Sequence, residues 1–157
     1  MTKTQRRRRR EAKTDYNARF GLLKSEKPRL VIRKTNRYIL AQIIESNIAQ
    51  DKVIVRAHSK ELLEKGWPKE RSGSLKSLVA AYLTGKLLAK KLNGKIKEVI
   101  LDIGMNRNVG GSRIYALTKG ALDGGLKIPH KSESLPSEER LKSNEKTRDL
   151  IKLKEKI

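Results

Sequence analysis

Five consecutive arginines, Arg6, Arg7, Arg8, Arg9 and Arg10, are the most concentrated chemistry in the chain. Each guanidinium is a planar fork that donates two parallel hydrogen bonds to a phosphate and stays charged at any working pH. Such a run is a phosphate-binding arm or, more plainly, a solvated tail or import signal whose charges repel one another. Tyr16, Phe20 and Leu23 follow at i, i+4 and i+7, on one helical face. That stripe is predicted to anchor the arm to the body.

A second candidate is Gly104 to Gly111, a loop of Gly, Asn and Arg between a predicted strand and a predicted helix. Strand, Gly-rich loop, helix is the setting of phosphate-binding loops, but five residues separate Gly104 from Gly110, one more than a Walker A loop has, and no Lys follows. Nucleotide triphosphate binding is therefore not expected. Backbone amides here, with Arg107 or Arg113, remain suited to RNA phosphates.

Catalytic constellations are sparse. Two-metal phosphoryl chemistry needs several converging carboxylates. The first predicted strand carries Arg29 and Arg33 but no acid, so Asp102 on the fourth stands alone. It reads as a structural acceptor that caps nearby backbone or pairs with a base. His58 and His130 lie 72 positions apart with no ligand cluster, so no metal or cofactor is expected. Six aromatics are too few for a single-strand stacking platform once Tyr16, Phe20 and Tyr82 are assigned to apolar faces. Structured RNA, gripped by shape and phosphate, fits better.

The elements that must position these groups follow from periodicity and turn signals. Arg29 to Lys34 reads as a strand after Pro28, Tyr38 to Ile44 as a second, and Thr35-Asn36-Arg37 as the turn of a basic hairpin. Val53 to Ala57 is a third strand, reached through the polar stretch Ser46 to Lys52. Ser59 is placed to cap a short helix stopped at Gly66. Ser74 is placed to cap a longer one, with Leu75, Leu78, Val79, Tyr82, Leu88, Ala89 and Leu92 on one face and Asn93-Gly94 at its end. Glu98 to Ile103 is a short apolar run suited to a buried parallel strand, and Ser112 to Leu122 a second helix. The tail predicts a helix from Pro136 or Ser137 and a sparse apolar set, Leu150, Leu153 and Ile157, that must dock to be stable.

The expected fold is therefore α/β: a mixed sheet in the chain order β-β-β-α-β-α, matching the ribonuclease-H-like topology, with a basic N-terminal arm and a C-terminal helix. Residues 1–27 form the arm and its helix, 28–130 an RNA-binding body and 131–157 an extension.

Composition narrows the partner. Among 157 residues, 38 Lys+Arg face 17 Asp+Glu, a net charge of +21, and +11 of it falls within Met1 to Arg37. A shell this basic calls for a polyanion or constant solvation. The absence of cysteine excludes disulfide scaffolds and thiol catalysis. No apolar run reaches the length of a membrane span, and neither a membrane nor a small-molecule substrate is expected.

Several ordered blocks carry a resemblance to a known family: Arg6 to Tyr16 (RRRRREAKTDY), Lys27 to Asn36 (KPRLVIRKTN), His58-Ser59, Gly66-Trp67, Ala81 to Gly85 (AYLTG), Leu101 to Gly104 (LDIG) and Gly120 to Leu126 (GALDGGL). With them the chain resembles the 5S-rRNA-binding family of large-subunit ribosomal proteins, in its archaeal and eukaryotic form, from about Arg6 to His130. The resemblance implies a non-enzymatic, cytoplasmic, ribosome-bound protein that helps seat 5S rRNA in the central protuberance and touches large-subunit rRNA and neighbouring ribosomal proteins. The implied RNA contacts fall on Arg6 to Arg10 and Lys13 of the arm, then on Arg19 and Lys24. They continue over Arg29, Arg33, Lys34, Asn36 and Arg37 of the hairpin, and over Asn106, Arg107, Gly110, Gly111, Ser112 and Arg113 of the loop. The alternatives are a ribonuclease-H-like nuclease and a non-specific basic chaperone of RNA or DNA.

Overall fold

The computed structural model describes residues 4–48, 50–144 and 148–155. Two arm helices come first, α1 (Arg7–Arg10) and α2 (Tyr16–Leu23), then strands β1 (Arg29–Lys34), β2 (Ile39–Asn47) and β3 (Gln50–His58). Helix α3 (Leu78–Leu92), strand β4 (Ile100–Asp102) and helix α4 (Arg113–Asp123) follow, and the tail adds α5 (Glu138–Lys142) and a 3-10 turn, Asp149–Glu155. The sheet is mixed and four-stranded, in the order β3-β2-β1-β4, with β1 antiparallel to β2 and parallel to β4.

Registers sort the side chains of the sheet. Leu30, Ile32, Ile39, Ala41, Ile43 and Ala57 are fully or almost fully buried in one core with Val79, Leu83, Leu88 and Leu117 of the helices. Each large side chain so buried contributes about 1.5–3 kcal/mol. The opposite face takes the alternate residues, among them Arg29 paired with Ile44 and Ile100, and Asp102 paired with Val31. The functional side chains therefore sit on the side of the sheet that the large helices leave open.

Helices α3 and α4 cross backbone to backbone. A Cβ on Gly120 would stand 1.9 Å from the Tyr82 carbonyl oxygen, and one on Gly85 2.0 Å from that of Leu117. Only glycine fits either position, so both blocks containing them are fixed by packing. Tyr82 Oη donates to Asp123 at 2.7 Å across the same crossing, and burial, reinforced by that carboxylate, pushes the phenol upward.

Several boundaries differ from those read off the sequence. Strands β2 and β3 run through the polar stretch to a tight turn, because Glu45 pairs with Lys52 and Ser46 with Asp51 beyond the last apolar residue. His58, not Ser59, caps the turn that follows: its Nδ1 accepts the Lys60 amide at 3.0 Å, while the buried Ser59 hydroxyl accepts the Ile39 amide. That turn is 3-10 (Ser59–Leu63), the charged loop at 69–73 is also 3-10 (Lys69–Ser74), and α3 starts later than expected, capped by Ser77. Ser77 Oγ accepts the Ala80 amide. The tail docks through Leu141 and Leu150, both buried, while Ile157 lies outside the described residues. No described helix is long and apolar enough to cross a membrane.

Candidate nucleic-acid interface

The arm is built to hold its charges apart in solvent. Its single-turn helix α1 is exposed throughout, and local bonds set the chain's path: Arg8 Nε donates to Thr14 Oγ1 at 2.9 Å and Lys13 Nζ to Glu11 Oε2 at 2.8 Å. Exposed pairs of this kind are worth about 0–1 kcal/mol, so a phosphate replaces such a partner cheaply. Asp15 caps α2 by accepting the amides of Asn17 and Ala18.

Helix α2 meets the body differently from expectation. No residue of α2 is buried, and Phe20 is 62% exposed. The stripe Tyr16/Phe20/Leu23 lines a cleft walled by the arm and not by the body, with Tyr16 and Leu23 half-buried. The side that meets the body carries Ala18, Arg19 and Leu22, and the helix is pinned by Arg19 Nη2 to Asp51 Oδ2 at 2.7 Å. An ion pair substitutes here for the apolar anchor that periodicity suggested.

Arg29, expected to touch RNA, is instead an interior cation, 2% exposed. Its Nη1 donates to Asp102 Oδ2 at 3.0 Å, and its Nη2 donates to Ser46 Oγ and Asp51 Oδ1, both at 2.9 Å. Burial by itself pushes the Asp51 carboxyl up, but the Ser46 hydroxyl and the charges of Arg29 and Arg19 outweigh it and hold the group below its ordinary 3.8. Asp102 takes both roles read for it: Oδ2 pairs with Arg29 and Oδ1 accepts the Gly104 amide at 2.8 Å. Asp102 does not stand alone, since Asp51 shares its guanidinium. A cation on the interior strand β1 thus ties Ser46 of β2, Asp51 of β3 and Asp102 of β4 together at one end of the sheet.

Four predicted contact residues converge around this cluster. Arg8 and Lys13 from the arm, Arg19 from α2 and Arg33 from β1 line one cleft of about 130 Å³ together with Gly104 and the carboxylates of Asp15 and Asp102. Arg33 folds over Gly104, whose φ of +59° and bare Cα leave room for a guanidinium nitrogen that would stand 2.7 Å from a Cβ. Lys34, Asn36 and Arg37 are exposed at the hairpin tip. Lys24 lies with its Nζ 4.8 Å from the centre of the Phe20 ring.

The loop after β4 is only partly available. Asn106 is half-buried and donates to the Ile103 carbonyl, while Arg107 and Gly110 are exposed. Gly111, a predicted contact, is buried under the tail: its amide donates to Ser134 O at 2.8 Å and its carbonyl accepts Arg140 Nε. The Ser112 hydroxyl is also enclosed, without a hydrogen-bond partner. Gly111 is withdrawn from the surface because the extension folds back over it, whereas Ser112 is half-buried with only its hydroxyl enclosed. Arg113 remains exposed, but in another cleft of about 340 Å³, with Lys76 and Arg140. Sequence spacing gave no sign of that grouping, which exists only once the tail docks.

His58 and His130 serve local structure: His58 caps a turn and packs against Tyr38, with ring centres 5.0 Å apart, and His130 Nδ1 lies 2.6 Å from the Ile128 carbonyl oxygen. Among the described residues no three His, Asp or Glu side chains assemble as a metal site.

A mixed α/β body with an arginine arm gathers its cations on one face, an arrangement suited to a polyanion. Comparison with known proteins makes this specific. The model of the family described as ribosomal large subunit proteins 60S L5 and 50S L18 matches residues 2–98 and 93–131, and the chain belongs to that family. Its relatives include proteins named large ribosomal subunit protein uL18. The one from Aeropyrum pernix is 47% identical over 87% of this chain and 63% of its own length. That from Korarchaeum cryptofilum is 52% identical over 87% and 68%, and that from Methanoregula boonei 44% over 96% and 88%. The chain thus spans under two thirds of the first relative's length and most of the third's.

Proposed function

We propose that the chain is a structural, non-enzymatic constituent of the large ribosomal subunit that binds 5S rRNA and helps hold it in the central protuberance. One observation carries the reading: the arm presents Arg8, Lys13 and Arg19, and the hairpin Arg33, to one cleft walled also by Gly104 of the β4 loop, within the span matched by the family. Affinity comes from neutralising phosphates and releasing their counterions, and selectivity from the fit of that rigid face to folded RNA. The contact set is Arg6 to Arg10, Lys13, Arg19, Lys24, Arg33, Lys34, Asn36 and Arg37, with Asn106, Arg107, Gly110 and Arg113 beside it. Arg29, Gly111 and Ser112 support these from beneath.

In this reading residues 1–27 are the gripping arm, 28–130 a ribonuclease-H-like body and 131–157 a buttress against the β4 loop. Large-subunit rRNA and neighbouring ribosomal proteins are the further partners, and the protein acts in the cytoplasm, on the ribosome. Nuclease chemistry has no support, because Asp102 and Asp51 are both spent on Arg29. The test is fractionation of cells expressing a tagged full chain. The tag is expected in the large-subunit fraction, with 5S rRNA retained on it after the subunit is dissociated; a tag confined to the free-protein fraction would overturn the reading.

A further inference from the structure

We propose that the arm carries a slot for one unpaired nucleobase of the bound RNA, with the base stacked on Phe20 and its phosphate held by Arg6, Arg9 or Arg19. The proposal rests on the RNA-binding reading above and deepens it. The observation behind it is an apolar stripe that the fold does not consume. Tyr16 and Phe20, four residues apart on α2, the first half-buried and the second exposed, wall an open cleft of about 780 Å³ with Leu23, Arg6, Arg9 and Arg19. A single exposed aromatic is unremarkable on a protein surface. Two on one face, inside a cleft lined by three arginines and no acid, form a recognisable combination.

Each wall suits part of a nucleotide. A phenyl ring offers no hydrogen bond to a phosphate, so its use against RNA is its π face, which accepts any unstacked base. Lys24 Nζ lies 4.8 Å from the Phe20 centroid without lining the cleft, so the ring is backed by a cation while it stays open toward the cleft. The Arg6 guanidinium lies 4.8 Å from the Tyr16 centroid, stiffening the second wall and bringing a phosphate donor to the rim. The alternative occupant, an apolar segment of a neighbouring protein, would place its surface against the guanidinium groups of Arg6 and Arg9, which no acidic side chain of the cleft neutralises, and beside Arg19, which is paired with Asp51. Charge selects RNA.

The experiment is titration of 5S rRNA, with tRNA as reference, against the full chain and its Phe20→Ala, Phe20→Leu and Phe20→Trp variants at several salt concentrations. Since Phe20 packs into no core, the variants are expected to keep the parent's circular dichroism and unfolding midpoint. Loss of one stacked base predicts about 5- to 150-fold weaker binding for Phe20→Ala. Phe20→Leu should weaken binding similarly and Phe20→Trp should retain it, all at the parent's salt slope, because every phosphate keeps its cation. Binding of Phe20→Ala within twofold of the parent, or of Phe20→Leu equal to it, would overturn the slot while leaving 5S rRNA recognition intact. A parent chain that does not distinguish 5S rRNA from tRNA would instead remove the reading on which the slot rests.

Discussion

Replacing Arg29 by methionine is expected to lower the unfolding free energy by about 3–5 kcal/mol, the cost of leaving a buried charge without its partner. A domain of this size has about 5–15 kcal/mol to lose. The guanidinium joins Asp102, Ser46 and Asp51 at 2.9–3.0 Å and is 2% exposed, so its removal leaves two carboxylates facing each other across the gap. The prediction has a pH signature. In the parent, Asp51 is held below 3.8, so its contribution is complete above that value and is lost as the pH falls through the lowered one. In the variant the two carboxylates repel, and Asp51 loses the Arg29 charge that helps to hold it low. The deficit, measured as the shift in urea midpoint, should be largest near neutral pH and narrow as the pH enters the carboxylate range. Removing the opposing charge as well, in Arg29→Met with Asp102→Leu, should recover part of the loss. A single variant within about 1 kcal/mol of the parent would show that the cluster is not what holds this end of the sheet.

Converting Arg6 to Arg10 to glutamine should have the largest effect on binding. The slope of log K against log salt is expected to flatten by about 0.7–0.9 for each phosphate that the arm no longer neutralises, so by about 3.5–4.5 if all five side chains engage RNA. Stability should not change, because no residue of α1 is buried and its ion pairs are exposed. An unchanged salt slope would make the arm a solvated tail.

Much of the frame was legible because it depends on local pattern. The apolar periodicity of α3 and α4, the β-prone run of β1 after Pro28 and the turn signals at Asn93-Gly94 and Asp123-Gly124-Gly125 each fix an element without reference to the rest of the chain. The glycines at 85 and 120 stand inside the blocks that suggested the family, and the touching backbones of α3 and α4 explain why they must be glycine. What was illegible depends on distant partners. Arg29 looks like any other cation of a basic hairpin until Asp102, 73 residues away, and Asp51 close around it. Tyr16, Phe20 and Leu23 have the spacing of a buried stripe, yet the ion pair from Arg19 to Asp51 turns the adjacent side of α2, with Ala18 and Leu22, to the body. Strand β2 outruns its apolar residues because backbone pairing, not burial, sets its end. Lys76, Arg113 and Arg140 meet only after the tail docks, and that docking also buries Gly111.

Charge organised for one folded RNA behaves differently from charge that serves polyanions in general. The difference is tested most directly by competition: labelled 5S rRNA bound to the full chain near physiological ionic strength, challenged with unlabelled 5S rRNA, tRNA or duplex DNA. Only unlabelled 5S rRNA is expected to displace the label at stoichiometric concentrations, with tRNA and duplex DNA needing a large excess. Equal displacement by all three would contradict the account and leave a non-specific basic chaperone in its place.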